Sequence, residues 1–169
     1  MGRGAELTIE AIRKDHLRNT FDCGKPPLND YLAKHARQNH ELGTTKTYVA
    51  VRSPDPAVLG YYSLCMGNVS VAKFPPEEVK RLPRYPVPVV HLARLAIDRR
   101  VQRQGVGSLL LVSALKRALK SSLEIASYAV EAVAKDEEAR TFYVKYGFKP
   151  LADDPLHLYI AMKTVEKLP

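Results

Sequence analysis

At 169 residues, with hydrophobic residues at 46% and charged residues at 26%, the chain fits one domain of ordinary size that builds its core without staples. Its two cysteines, Cys23 and Cys65, lack CxxC or Cys/His spacing, which argues against a disulfide scaffold and a zinc site, and neither an apolar run near ~20 residues nor a charged-then-apolar leader is visible, so no membrane span or secretion signal is expected and a cytoplasmic protein with reduced thiols is. The formal charge of +8 favours anionic partners such as nucleic acid, phosphate-bearing cofactors or an acidic protein segment, without choosing among them.

Glu6 to Arg13 alternates as a first strand, and Asp15 to Phe21 follows as a polar connection. A helix is predicted from the Pro26-Pro27 pair to a stop at Gly43, with Leu28, Tyr31, Leu32 and Ala36 as its apolar stripe and Lys34 and Arg37 pointing elsewhere. Thr45 to Arg52 is a second strand, Ser53-Pro54-Asp55-Pro56 is turn chemistry, and a third strand from Val58 to about Val71 completes an antiparallel hairpin. Lys73 to Pro88 is rich in proline and carries Lys80, Arg81 and Arg84, so it is a short helix at best inside a loop.

The apolar run ending at Asp98 is a buried strand, and a basic loop ending in Gly105-Val106-Gly107 leads into a helix from Ser108 to Ser121. Leu111, Leu115 and Ala118 form the apolar face of that helix, and Lys116, Arg117 and Lys120 suit the negative end of its dipole. Then come a strand from Ile125 to Ala134, a helix from Asp136 to Tyr146 with Gly147 at its C-terminal cap, and strands around Phe148 and Leu158, the last running from Leu156 to Met162. The order of elements describes a mixed sheet covered by helices.

The strand-to-helix turn is a candidate pyrophosphate cradle. A helix start has N–H groups without partners and a partial positive charge, and Gly105 and Gly107 let the backbone approach a phosphate with no Cβ in the way. A Rossmann fingerprint would need glycine where Leu110 stands, and a Walker loop would need Lys-Ser/Thr after Gly107, where Ser108 and Leu109 stand, so neither a dinucleotide nor an NTP is favoured. Gln102-Arg103-Gln104-Gly105-Val106-Gly107 resembles the [QR]-x-x-G-x-[GA] signature of the GNAT N-acetyltransferases, supported by LARLAID before it and ARTFYVKYGF at Ala139 to Phe148 after it.

That resemblance implies an α/β (α+β) fold with a mostly antiparallel twisted sheet flanked by helices, over 1–169 as a single domain, and acetyl-coenzyme A as cofactor. It places the cofactor on Leu95, Ala96 and Ile97 of the strand and on Gln102, Arg103, Gln104, Gly105, Val106, Gly107 and Ser108 of the loop. Tyr143 matches the tyrosine that acts as general acid towards the departing thiolate; on helical spacing alone it would be a core residue with a satisfied hydroxyl. Many family members carry a glutamate base on the strand before the loop; none stands there, and His91 or Glu131 could act through water but each is as plausible in a structural role, so no base is assigned. Arg94 interrupts the same strand, with an ion pair to Glu131 as the preferred explanation, and Arg99, Arg100 and Arg103 either screen phosphates or are solvated.

FDCGKPPLNDYL at Phe21 to Leu32, TYVAV, GYYSL and PVVHLARLAID narrow the resemblance to the GNAT toxins of bacterial toxin-antitoxin pairs. It implies aminoacyl-tRNA as the acceptor, its free α-amine being acetylated, and a ribbon-helix-helix antitoxin as protein partner. Lys34, Arg37, Lys80, Arg81, Arg84 and Arg94 are the candidate substrate contacts. A GNAT enzyme acting on a small-molecule or protein amine, and an inactive acyl-coenzyme A-binding module, are the competing expectations; the oligomeric state is left open, a homodimer included.

Overall fold

The computed structural model describes residues 6–169. Seven strands run in the order β1-β2-β3-β4-β5-β7-β6, with β1 on β2, β2 on β3, β5 on β7 and β6 on β7 antiparallel and β4 on β5 parallel, and helices flank them. The chain forms two compact units, one from residues up to Cys65 with Ala93–Ala114, the other from Met66–Leu92 with Leu115–Pro169.

In the first unit, β1 (Thr8–Ala11) pairs with β2 (Lys46–Val51), which pairs with β3 (Gly60–Val69), the hairpin expected from the Ser53–Pro56 turn. Thr47 and Ser63 face each other in the register, and their hydroxyls share a 2.7 Å hydrogen bond that satisfies both in the core. The helix predicted up to Gly43 is two helices, α1 (Pro26–Lys34) and α2 (Ala36–Leu42), separated at His35. No glycine or proline marks that break, and Tyr31, Leu32 and Ala36 stay buried across it, so apolar spacing could not reveal it. Gly43 ends α2 in the left-handed conformation at φ 83°. Leu32, Val49, Val51, Tyr61 and Ala96 form the core beneath α1.

The helix α4 (Val106–Ser122) begins two residues before the predicted start, and Leu110, Leu111 and Ala114 bury its N-terminal half. Each leucine so buried is worth about 1.5–3 kcal/mol. Gly60 allows the close approach: a Cβ there would lie 2.7 Å from Leu110 Cδ1 and 3.2 Å from the Ala96 carbonyl. The Tyr62 and Ser113 hydroxyls join at 2.8 Å beside this contact.

In the second unit, β4 (Val87–Ile97) pairs in parallel with β5 (Ala129–Val133) over Val89–Leu92, and β5 pairs with β7 (His157–Ala161), which carries the two-residue β6 (Lys149–Pro150). The strand predicted from Ile125 starts at Ala129, because the Ile125 N–H still bonds the Ser121 carbonyl and so finishes the turn after α4. The proline-rich segment holds only a 3-10 turn at Val71–Lys73 and a one-turn α3 (Pro76–Val79), as its composition implied. It is nevertheless anchored: Phe74 is buried edge-on against Tyr128 and Tyr159, and Glu78 accepts hydrogen bonds from both tyrosine hydroxyls. The helix α5 (Glu137–Lys145) is capped by the Asp136 carboxylate on the Ala139 N–H, and Gly147 follows its end at φ 104°. A final turn, α6 (Met162–Val165), stands where the last strand was expected to finish.

Candidate active site

The turn after β4 is built around one carboxylate. Asp98 is 1% exposed and accepts the N–H groups of Asp22 (3.1 Å) and Arg100 (2.9 Å), and the Arg100 guanidinium through Nε (2.9 Å) and Nη2 (3.1 Å). Burial alone would raise its pKa, but these donors outweigh burial and hold the carboxyl below its usual range. Arg100 is therefore committed to Asp98 rather than to a ligand. The Arg99 N–H returns to the Asp22 carbonyl at 2.8 Å, and Gln102 Nε2 donates to the carbonyls of Ile97 (2.9 Å) and Cys23 (3.3 Å). Asp22 in turn accepts from the Gly24 N–H and from Asn29 Nδ2, and the Asn29 side-chain oxygen takes the Cys23 N–H. The segment FDCGKPPLN and the loop DRRVQ are thus one interlocked unit. Asp98 served in the sequence only as the end of an apolar run; its position directly before a basic loop was the available signal for a hub.

Beyond Gln102 the loop is exposed. Arg103 adopts the left-handed region at φ 64°, unusual for a residue with a side chain, and Gly105 adopts φ 84°. A Cβ on Gly105 would meet nothing within 4 Å, so the space before the start of α4 is open. The Leu109 N–H closes a helical bond onto the Gly105 carbonyl, so the N–H groups that precede it belong to the open first turn of the helix. Gly105, Val106, Gly107 and Ser108 therefore sit together at the start of α4, and Leu95, Ala96 and Ile97 form the β4 end that leads into the loop. Gln102 and Gln104 line the loop but point their amides at main-chain carbonyls.

Arg94 does not pair with Glu131. Its guanidinium lies 3.4 Å from the centroid of the Tyr31 ring, a cation–π contact, while Tyr31 stacks on Tyr61, whose hydroxyl donates to the Leu28 carbonyl at 2.8 Å. The contact partner lies 63 positions away in sequence, beyond what periodicity shows. Of the other basic candidates in this unit, Lys34 lies 3.7 Å from Asp30 at the surface, and Arg37 bonds Glu41 at 2.7 Å.

In the second unit, Tyr143 is 7% exposed and packs against Phe148 and Phe142, with centroids at 5.1 and 5.6 Å. Burial pushes its phenol well above the ordinary range, so the proton is retained at physiological pH. Its hydroxyl has no hydrogen-bond partner among the described residues. A structural core tyrosine would normally satisfy that group. Lys80, Arg81 and Arg84 are exposed in the proline-rich segment.

Glu131 accepts from His91 Nδ1 at 2.8 Å and from His157 Nε2 at 2.5 Å. Neither that chain nor Asp98 was legible from spacing. Cys23 and Cys65 form no disulfide, and among the described residues no group of three or more His, Cys, Asp or Glu is arranged to hold a metal and no helix is long and apolar enough to cross a membrane.

Residues 78–157 match the family model of the acetyltransferase (GNAT) domain. The chain is 40% identical over 149 residues to the tRNA-acetylating toxin of Mycobacterium tuberculosis (strain ATCC 25618 / H37Rv), covering 88% of each protein. Among solved structures it is similar to a tyrosine-to-phenylalanine mutant of KacT, with a TM-score of 0.92 at 32% identity over 96% of this chain and 99% of that one. It is also similar to AtaT complexed with acetyl-methionyl-tRNAfMet, with a TM-score of 0.90 at 34% identity over 95% and 98% of the two chains. A mutant AtaT bound to acetyl-coenzyme A and to the C-terminus of the antitoxin AtaR gives a TM-score of 0.81 at 32% identity, covering 95% of this chain and 96% of that one. The chain belongs to the GNAT acetyltransferases, and the relatives it is similar to include a tRNA-acetylating toxin and a toxin bound to its antitoxin.

Proposed function

We propose that this protein is a toxin that transfers the acetyl group of acetyl-coenzyme A to the free α-amine of the aminoacyl group on charged tRNA, and so withholds that tRNA from translation. The observation that carries the transferase chemistry is the open cradle at the start of α4, with Gly105 at φ 84° and no atom within 4 Å of its Cβ position. The observation that carries the acceptor is the 40% identity to a tRNA-acetylating toxin over 88% of the chain.

Gly105 to Ser108 would take the pyrophosphate on their N–H groups, favoured by the helix dipole. When bound, the cofactor supplies an activated thioester. The main chain of Leu95 to Ile97 would then donate to the thioester carbonyl, stabilising the oxyanion, and Tyr143 would give its proton to the leaving thiolate. An unpartnered hydroxyl on a phenol that holds its proton fits that task.

Lys34, Arg37, Lys80, Arg81 and Arg84 contact phosphates in this scheme, with Arg94 holding Tyr31 and hence α1 in place. Since AtaT is bound to acetyl-methionyl-tRNA in one structure and to AtaR in another, this chain takes charged tRNA as substrate and an antitoxin, of the ribbon-helix-helix type, as its protein partner, acting in the cytoplasm where charged tRNA is found. The test is incubation of a charged-tRNA pool with acetyl-coenzyme A and the protein, followed by detection of N-acetyl-aminoacyl-tRNA. Product whose formation weakens steeply with salt is expected; acetylation of a polyamine or peptide with none of charged tRNA would refute the acceptor.

A further inference from the structure

We propose that His91 is the proton acceptor for the attacking amine and that Glu131 and His157 position it, an inference resting on the acyl-transfer function above. His91 on β4 stands opposite Glu131 on β5 in the parallel register, and β7 brings His157 to the far side of the same carboxylate. Glu131 is 9% exposed, and each of its oxygens is used: Oε1 accepts His91 Nδ1–H at 2.8 Å and Oε2 accepts His157 Nε2–H at 2.5 Å. His157 Nδ1–H donates in turn to Asp153 at 3.0 Å, and Asp153 pairs with Lys73 Nζ at 3.3 Å.

The protonation states follow from these contacts. His157 donates from both nitrogens to carboxylates; burial opposes its charge, but Asp153 and Glu131 outweigh burial and raise its pKa, so it is an imidazolium. Burial likewise pushes Glu131 up, and the two histidines more than reverse it, so the carboxylate stays ionised. Lys73 and His157 therefore balance Asp153 and Glu131, and His91 stands at the end of the row. With Nδ1–H fixed on Glu131, the neutral ring has its lone pair on Nε2.

That nitrogen has no hydrogen-bond partner among the described residues, and the side chain is 32% exposed. The neighbouring position on β3 is Gly67, where a Cβ would come within 3.7 Å of His91 Cβ and 3.8 Å of Val89 Cγ2, so no side chain from that position lies beside the histidine. A purely structural histidine would use both nitrogens. Here a buried carboxylate orients one and the other stands available, the arrangement that makes a histidine a directed base. The groups facing His91 are Glu131 from β5 and, behind it, His157 from β7, Asp153 before β7 and Lys73 from the segment after β3.

In the transfer step the neutral α-amine forms a C–N bond to the thioester carbonyl carbon and its N–H proton passes to His91 Nε2. The C–S bond breaks, and the thiolate takes the proton of Tyr143. Proton return from imidazolium to phenolate through solvent restores both groups, so an amine and a thioester become an amide and a thiol with nothing left over.

The experiment compares wild type, His91→Asn and Glu131→Gln on charged tRNA across pH, with melting temperatures measured in parallel. His91→Asn should keep its fold and its KM for tRNA while kcat falls about 10²-fold at neutral pH. Added imidazole should restore part of the rate of His91→Asn and leave the wild type unchanged. Glu131→Gln should lose less, and the double variant should fall no further than His91→Asn, as groups acting in series do. If His91→Asn does not fold, His91→Gln serves in the same comparison. No product from wild type refutes the acceptor reading and this step with it, whereas product formed at the wild-type rate by a folded His91 variant refutes the role of His91 alone.

Discussion

Replacing Asp98 by alanine tests whether the cradle depends on the hub beneath it. The substitution removes the acceptor of four contacts, but the Arg100 side chain is 54% exposed and regains water, so only the main-chain N–H groups of Asp22 and Arg100 count in full. A buried donor left unsatisfied costs about 1–3 kcal/mol, so Asp98→Ala should lose about 2–6 kcal/mol. That is a large part of the roughly 5–15 kcal/mol that holds a domain folded. Asp98→Asn keeps the size and one acceptor and should lose about 1–3 kcal/mol. Because the folded carboxyl is held below its unfolded value near ~3.9, its contribution is present above that pH and is lost as pH falls through the folded value. The gap between wild type and Asp98→Asn should therefore be full near pH ~7 and shrink below pH ~4. Denaturant melts across this range measure it, and calorimetry with acetyl-coenzyme A measures the loop, where re-ordering at about 1.4 kcal/mol would appear as a tenfold loss of affinity. An Asp98→Ala protein with wild-type stability and wild-type affinity would refute the hub.

Tyr143→Phe keeps the packing on Phe148 and removes a hydroxyl that has no hydrogen-bond partner among the described residues, so melting temperature and cofactor affinity should survive while turnover falls about 10²-fold to 10⁴-fold; near-normal turnover with chemistry rate-limiting would exclude the tyrosine as acid. Gly105→Val puts a side chain before α4 at φ 84°, costing about 1–2 kcal/mol of backbone strain and weakening acetyl-coenzyme A binding about tenfold or more by calorimetry, and equal affinities would remove the loop from the site. Glu78→Ala strands the hydroxyls of Tyr128 and Tyr159 and should cost about 2–5 kcal/mol in a denaturant melt. Burial, then Glu78, pushes Tyr128 up to about 12, so its contribution is present below the unfolded value and fades as pH rises through the folded one; an ultraviolet titration in which Tyr128 ionises at its ordinary pH would contradict the clamp.

What could be read from the chain was what is local. The cradle announces itself because strand end, paired glycines and helix start are consecutive, and the hairpin because proline and aspartate mark its turn. Tyr143 could be placed on a helix face by spacing, yet only resemblance gave it a chemical role, and only the structure shows its hydroxyl unpartnered. The remainder depends on partners far apart in sequence: Asp22 with Asp98, Arg94 with Tyr31, His91 with Glu131. Hydrophobic periodicity carries no information on such pairs, which is why Arg94 was expected to meet the carboxylate that His91 and His157 in fact occupy. The division at His35 escaped for a different reason, since both helices keep one buried stripe and no breaker residue lies between them.

The interlock of Asp22 with Asp98 spans 76 positions. Closing a loop of that length is an entropic cost met before the contact returns anything, so contacts of this kind form late on a folding route. The cradle loop hangs on this bond and on the Gln102 contact to Cys23, 79 positions away. A growing chain that has emerged only as far as α4 has the glycines and the helix start, but their geometry is set only once the segment around Asp22 has docked. Cofactor affinity is therefore expected to appear only with the docking of the segment around Asp22, late in the folding of this unit.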